Sequence, residues 1–294
     1  LNVEDTIELT EANISSTTFG PGDTGHILIE TGQLSMVGSE IVLKTFASGN
    51  AGNIRIRADE SVELNTILET VNRSAIANEV AEGASGAGGE ITIETSILKI
   101  FDGSALQLVS SGTGNVGDIN ITASESVDFV GGFLTGSGFL LSGILVFDSP
   151  DNRTANGDVT ITTGQLRVLD GAQITTSPRG TGNGGNITIV ARDSIDITGG
   201  VRFDDGRLGS SLSAGPQLVG SSGNGGNIIL RTGQLRVHDG GAVQTFSFEP
   251  GDGGDIIVDA TSVNVTNAKI SAEAFGEGNA GNVDAIISGR ILLD

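Results

Sequence analysis

"GNGGNITIVARDSIDITGG", residues 182–200, joins two Gly-Asn pairs to two runs in which Ile alternates with other residues, then closes on two more glycines. Alternation with a period of two marks a strand with one buried and one exposed face. Gly and Asn clustered between such runs mark a turn. The phrase recurs along the chain. Its five-residue turn begins at Gly22 (GDTGH), Gly49 (GNAGN), Gly86 (GAGGE), Gly114 (GNVGD), Thr154 (TANGD), Gly182 and Gly223 (both GNGGN), Gly251 (GDGGD) and Gly278 (GNAGN). The spacings are 27, 37, 28, 40, 28, 41, 28 and 27 residues, so short and long units alternate through most of the sequence.

Aligning these turns exposes apolar columns. Five residues after each turn begins stand Ile27, Ile54, Ile91, Ile119, Val159, Ile187, Ile228, Ile256 and Val283. Two further on stand Ile29, Ile56, Ile93, Ile121, Ile161, Ile189, Leu230, Val258 and Ala285, while the residue between them varies freely. A second strand follows. It reads TGQLSM (31–36), TSILKI (95–100) and TGQLRV (163–168, 232–237) in short units, and ESVEL (60–64), ESVDF (125–129) and DSIDI (193–197) in long ones. A third apolar stretch closes the unit, as in AQITTS (172–177), AVQTFSF (242–248) and AKISAEAF (268–275). Three short strands per repeat, each ended by a turn, make one coil of a parallel β-helix, with equivalent residues stacked about 4.8 Å apart. One coil cannot bury a core alone, so the repeats must stack. The expected architecture is all-β: one continuous β-helix over 1–294, nine to ten coils of three strands, with partial coils at both ends. Its length would be roughly 45 Å.

On this reading the turn glycines serve corners that need positive φ. Asn and Asp there bond neighbouring backbone, and stacked Asn183, Asn224 and Asn279 would form amide ladders. The long units carry about ten extra residues after the second strand, at about 66–73 (TILETVNR), 131–141 (GGFLTGSGFLL) and 200–209 (GVRFDDGRLG). Recurring in every other coil, these inserts should emerge on one side as a ridge, where solenoids commonly place binding and variation.

Composition removes several functions. The 294 residues carry a net charge of −21, with no Cys, Trp or Tyr. A non-specific nucleic-acid binder needs a basic footprint, and an anionic membrane would repel this chain. Without Cys there are no disulfides or thiolate metal sites. No apolar run approaches the roughly 18 residues of a membrane span. Neither nucleic acid nor membrane insertion is therefore expected. The chain opens on Leu1 without a signal-peptide pattern, which suits a processed product or an internal piece of a longer protein. Its uncapped coil edges would continue covalently or mate head to tail with another copy in a filament.

The phrases GNGGNI, GQLRVLDGA (164–172) and ARDSIDITGG (191–200) resemble the repeat region of large filamentous-haemagglutinin-like exoproteins. The alternation of TGQL and SVEL coils is most similar to the Gly-Asn-rich cyanobacterial type, and the resemblance spans roughly residues 1–290. It implies a right-handed parallel β-helix, two-partner secretion, and a role at the cell surface or in extracellular matrix. The family's secretion signal, of Asn-Pro-Asn-Gly type, does not occur here, which suits an internal segment. The resemblance brings no catalytic residues.

Parallel β-helices also host polysaccharide lyases and hydrolases, which need paired carboxylates, or a carboxylate with a base, in a groove. The best candidate is Asp204-Asp205 with Arg202 and Arg207, but adjacent strand residues point apart, and a solvated loop tip is the plainer reading. Phe133, Phe139 and Phe203 in the inserts could stack on sugars; packing over the ridge is the plainer reading. His26 and His238 are the only histidines, and His26 stands where other turns have Asn, Asp or Glu, as a corner substitute. GDGGDIIVD (251–259) is similar to calcium-binding turns but lacks their nine-residue period, leaving weak surface Ca²⁺ as the one cofactor to consider. Asn-x-Ser/Thr triplets at Asn13, Asn72, Asn120, Asn152 and Asn186 follow from the strand pattern and are not read as glycosylation sites. The expectation is a non-enzymatic secreted β-solenoid, structural or adhesive, with no catalytic, cofactor-binding or metal residues. The alternatives are a secreted polysaccharide lyase or hydrolase, and a Ca²⁺-dependent matrix protein.

Overall fold

The structure, a computed structural model, describes residues 1–135, 138–148, 157–203, 206–216, 221–248 and 250–294. Every regular element among them is a strand. Long strands (Asn2–Thr10, Ile27–Val37, Ile54–Asn65, Ile91–Phe101, Ile119–Val130, Val159–Leu169, Ile187–Thr198, Ile228–His238, Ile256–Thr266, Val283–Leu293) alternate with short ones. The short strands are Asn13–Thr18, Glu40–Thr45, Ala75–Val80, Ala105–Ser110, Gly143–Asp148, Gln173–Ser177, Ser211–Ala214, Ala242–Ser247 and Lys269–Ala274. The ten long strands stack as one parallel sheet and the nine short strands as another, which makes a parallel β-solenoid. Its register is the one the apolar columns require: Ile187 pairs with Val159 on one side and Ile228 on the other.

Each coil shows two strands where three were expected, because its first two segments run on as one strand through a bulge. Thr163 pairs with Ala191 and Gln165 with Ser194, so Gly164 alone opposes Arg192-Asp193. The extra residue bends the strand without ending it. This accounts for the TGQL phrase. A Cβ on Gly164 would lie 2.4 Å from the Glu125 carbonyl oxygen of the preceding coil. The Thr163 hydroxyl donates to the Gln165 carbonyl at 3.2 Å, and Thr31 to Gln33 at 3.1 Å, stapling the bend. Where Ser96 replaces the glycine, Thr95 still donates to the Ile97 carbonyl at 3.4 Å, and the Ser96 hydroxyl adds a bond to the bulge carbonyl of Asp59 at 2.8 Å.

The two sheets face one another across a single core. Ile161, Ile189 and Leu230 from the long strands, and Ile144, Ile174 and Leu212 from the short ones, are wholly buried. Each such side chain contributes roughly 1.5–3 kcal/mol. Beside these ladders runs an inward polar row that satisfies corner carbonyls. Thr45 donates to Gly49 O (2.5 Å), Asn78 to Gly52 O (2.7 Å), Thr176 to Gly185 O (2.6 Å) and Thr245 to Gly254 O (2.5 Å).

The turn glycines have a different cause from the expected one. Positive φ falls at the opposite corner, at Asp102, Asp170, Asp239, Asn267 and their neighbours, and not at the GNGGN turns. In those turns the constraint is the coil beneath. A Cβ on Gly86 would lie 1.9 Å from Gly49 O, one on Gly223 1.8 Å from Gly182 O, and one on Gly226 2.0 Å from Gly185 O. Coils stack backbone against backbone there, leaving no room for a side chain.

Candidate functional site

Asx columns line the GNGGN corner. Asn183 Oδ1 accepts from Asn224 N–H (3.0 Å), and Asn224 Oδ1 from Asp252 N–H (2.9 Å). Asp252 Oδ1 in turn accepts from Asn279 N–H (2.7 Å). A second column runs Asp118, Asp158, Asn186, Asn227, Asp255 and Asn282 by the same bond. His26 begins it: its Nδ1 accepts from Asn53 N–H at 2.9 Å, as an Asn oxygen would. The ladders are built by side-chain oxygens on the next coil's backbone rather than by amide on amide. They hold the corner by tying each coil's side chain to the next coil's backbone.

The outer face of the long-strand sheet carries a charge ladder. Glu63, Lys99, Asp128, Arg167, Asp196 and Arg236 fall in register on successive coils. Arg167 Nε meets the buried Asp128 carboxylate at 2.6 Å, and Arg236 meets Asp196 at 3.3 Å. The bond to Asp128 outweighs partial burial and holds the Arg167 guanidinium above its ordinary range. Identical coils would stack like charges here; alternating basic TGQL coils with acidic SVDF-type coils removes that repulsion. His238 joins the ladder's edge, with Nε2 2.9 Å from Thr198 Oγ1 and Nδ1 3.1 Å from Asp239 Oδ2. The Thr198 hydroxyl donates to Asp196 at 2.7 Å, so it is bound into the ladder rather than activated by the imidazole.

The inserts leave from one corner, between the end of a long strand and the start of a short one. Two are antiparallel hairpins: Gly132–Thr135 with Gly138–Leu141, and Gly200–Phe203 with Gly206–Gly209. The first is a tighter loop closed by Ile67 and Asn72. Each is clasped at its base by the serine that follows it. Ser74, Ser142 and Ser210 donate to the carbonyls of Asn65 (2.8 Å), Val130 (2.8 Å) and Thr198 (2.6 Å), where the inserts begin. The same hydroxyls accept a backbone N–H from an adjoining coil, at Ser39 (3.1 Å), Gly103 (2.9 Å) and Gly171 (3.0 Å). The insertless coil that precedes each insert supports it from the side. Gly38 packs on Ile67 and Asn72, Gly103 on Phe133 and Leu140, and Gly171 on Val201.

The inserts fold over the outer face of the short-strand sheet. Arg73 hydrogen-bonds Gln107; burial lowers its pKa while Glu40 and Glu79 raise it, and burial prevails. Outward-facing Thr175, Ser177 and Ser213 are buried as a result of this side's crowding. Toward the C-terminal end the two last turn spacings are both short, so no insert covers the final strands. A groove of about 530 Å³ remains there, lined by Phe139, Leu141 and Leu208 from the hairpins, by Gln173, Ser211, Ser213 and Gln244 on its floor, and by Phe246, Phe248, Phe275, Lys269 and Glu273. Phe248 stacks on Phe275 at 5.5 Å, and Lys269 pairs with Glu273 at 3.1 Å. No signal in the sequence marked the groove, because it forms between repeats.

Asp204 and Asp205 lie outside the described residues, as do the side chains of Arg202, Arg207 and Phe203, so that constellation is not placed. Asn152 is likewise outside them. Phe133 packs at Gly103, and Phe139 lines the groove. Among the described residues no group of three His, Asp or Glu side chains is gathered as for a metal ion. No helix among them is long and apolar enough to cross a membrane. No protein-family model matches the chain, and neither a curated protein nor a solved structure does.

Proposed function

We propose that this protein is a non-enzymatic, secreted β-solenoid of the cell surface or extracellular matrix, structural and adhesive in role. The observation that carries the reading is the clasped ridge. A stiff stack of coils holds three inserts on one corner by the same serine bonds, two hairpins among them, and so presents them at fixed spacing. A rigid support that offers repeated elements along one side suits polyvalent attachment, where each contact can be weak. The high negative charge, −21, keeps such rods from sticking to one another non-specifically. The resemblance of the TGQL and SVEL phrases to filamentous-haemagglutinin-like exoproteins points the same way, toward export and a surface location. Further coils of matching register, from a longer chain or a second copy, are the partners that the coil edges would accept.

The test combines shape with attachment. Electron microscopy of native material should show rods or fibres, with the denatured chain mass distinguishing a polymer from a longer polypeptide. A variant whose hairpins are cut back to the length of the short coils should keep its melting temperature and lose retention on cell-surface and matrix preparations. Depolymerisation of a polysaccharide panel, abolished by a single carboxylate substitution, would replace this reading with a lyase or hydrolase. A melting shift with millimolar Ca²⁺ that a chelator reverses would instead make it a Ca²⁺-dependent matrix protein.

A further inference from the structure

We infer that the groove between the ridge and the short-strand sheet binds a neutral polysaccharide strand lying along the rod axis. The inference rests on the scaffold reading above and names a ligand for it. The floor crosses four consecutive short strands, Gln173–Ser177, Ser211–Ala214, Ala242–Ser247 and Lys269–Ala274, in register. At the coil spacing that is a channel about 15 Å long. Its volume, about 530 Å³, falls in the range of built ligand sites.

The chemistry of the lining selects the ligand. The floor offers hydroxyls and amides from Ser211, Ser213, Gln173 and Gln244, and one wall offers the rings of Phe246, Phe248 and Phe275. That pairing suits a chain with hydroxyls at its edges and C–H bonds on its faces. Ser213 is only 2% exposed, yet its Oγ has no hydrogen-bond partner among the described residues. A buried hydroxyl without a partner is costly, and a χ1 rotation toward the groove would bring it to a ligand hydroxyl. The charge of the described lining disfavours the ionic alternatives. Lys269 and Glu273 are the charged groups in the described lining, and they neutralise each other. A polyanion would meet the repulsion of a chain carrying −21. A peptide adding as a strand would need an open edge, and the first three floor strands are each paired on both sides, leaving only Lys269–Ala274.

The assay is titration calorimetry of the 294-residue chain with cellohexaose, mannohexaose and maltohexaose, with hexagalacturonate as the charged counterpart. At least one neutral hexasaccharide should bind with a Kd of about 1 mM or tighter. Ser213→Leu, which overfills the floor, and Phe275→Ala, which removes an exposed ring, should each weaken it roughly tenfold or more, with the melting temperature unchanged in Phe275→Ala. Gln244→Ala provides a second floor variant should Ser213→Leu fail to fold. Silence from all three neutral sugars, binding that both variants leave intact, or preference for hexagalacturonate would overturn the inference. Shortened oligosaccharides in the mass spectrum would sink the non-enzymatic reading and leave the groove assignment standing. Loss of binding here leaves the rod and its ridge untouched, so the two readings fail separately.

Discussion

Gly226→Ala asks whether the corner glycines exist for their own backbone or for the coil beneath. The new Cβ would sit 2.0 Å from Gly185 O and 2.6 Å from Gly185 C, both main-chain atoms that cannot swing aside. Restoring ordinary contact, at 3.4 Å or more, requires the two corners to part by about 1.4 Å, which takes N···O distances near 3 Å beyond hydrogen-bonding range. Four bonds cross that junction. Asn224 and Asn227 N–H donate to Asn183 and Asn186 Oδ1, each at 3.0 Å, and Gly184 and Ile187 N–H donate to the carbonyls of Asn224 and Asn227, each at 2.8 Å. At a net value of about 0.5–1.5 kcal/mol per bond, the cost is about 2–6 kcal/mol. The control is Gly22→Ala, at the first position of the first such turn, with nothing within 4 Å of its Cβ. Neither Gly22 nor Gly226 is among the residues of positive φ, so Gly22→Ala should be neutral or stabilising by up to about 1 kcal/mol. The chain has no Trp or Tyr, so urea unfolding is best followed by circular dichroism, with amide exchange locating the loosened corner. Equal losses at Gly22 and Gly226, or a Gly226→Ala cost below about 0.5 kcal/mol, would refute stacking as the cause.

Three further outcomes follow from the same architecture. Thr245→Val keeps the shape but leaves the buried Gly254 carbonyl without its 2.5 Å donor, and should cost about 1–3 kcal/mol by urea titration. Burial raises the Asp148 carboxyl above its ordinary 3.8, outweighing the N–H groups of Arg179 and Gly180 on Oδ1, while Oδ2 has no partner among the described residues. A raised carboxyl stabilises the fold when protonated and loses that contribution as pH rises through its folded value. Asp148→Asn should therefore gain on the parent chain as pH climbs from about 4 toward 7, and an unchanged difference across that range would contradict the burial argument. Arg167→Met leaves the buried Asp128 carboxylate without its 2.6 Å partner and should cost about 1 kcal/mol or more, whereas Arg55→Met on the exposed sheet face should fall within about 0.5 kcal/mol of the parent in the same titration.

Much of the fold was legible because a solenoid writes its contacts at a fixed sequence distance. The columns through Ile161, Ile189 and Leu230 report burial directly, and the inserts at 66–73, 131–141 and 200–209 stand out as breaks in the period. The serines that clasp the inserts were equally available as a repeated residue directly after each break, yet their role depends on carbonyls at the other end of the loop. His26 was readable as a corner substitute because its column was otherwise Asn, Asp or Glu.

What the sequence determined by itself was therefore everything periodic: an all-β coil, its register, its buried columns and the places where it is interrupted. Period-two alternation and the repeat length leave a stacked coil little freedom, since a one-residue slip would turn every Ile outward. Only the tertiary structure decided what happens between coils. It showed that the first two strands fuse through a bulge at Gly164, that the GNGGN glycines yield to a neighbouring carbonyl, and that alternate coils match Arg167 to Asp128 and Asp196. The groove under the hairpins also belongs to that level. Those features depend on distances between residues some 28 to 41 positions apart, and no local pattern carries that information until one coil lies on the next.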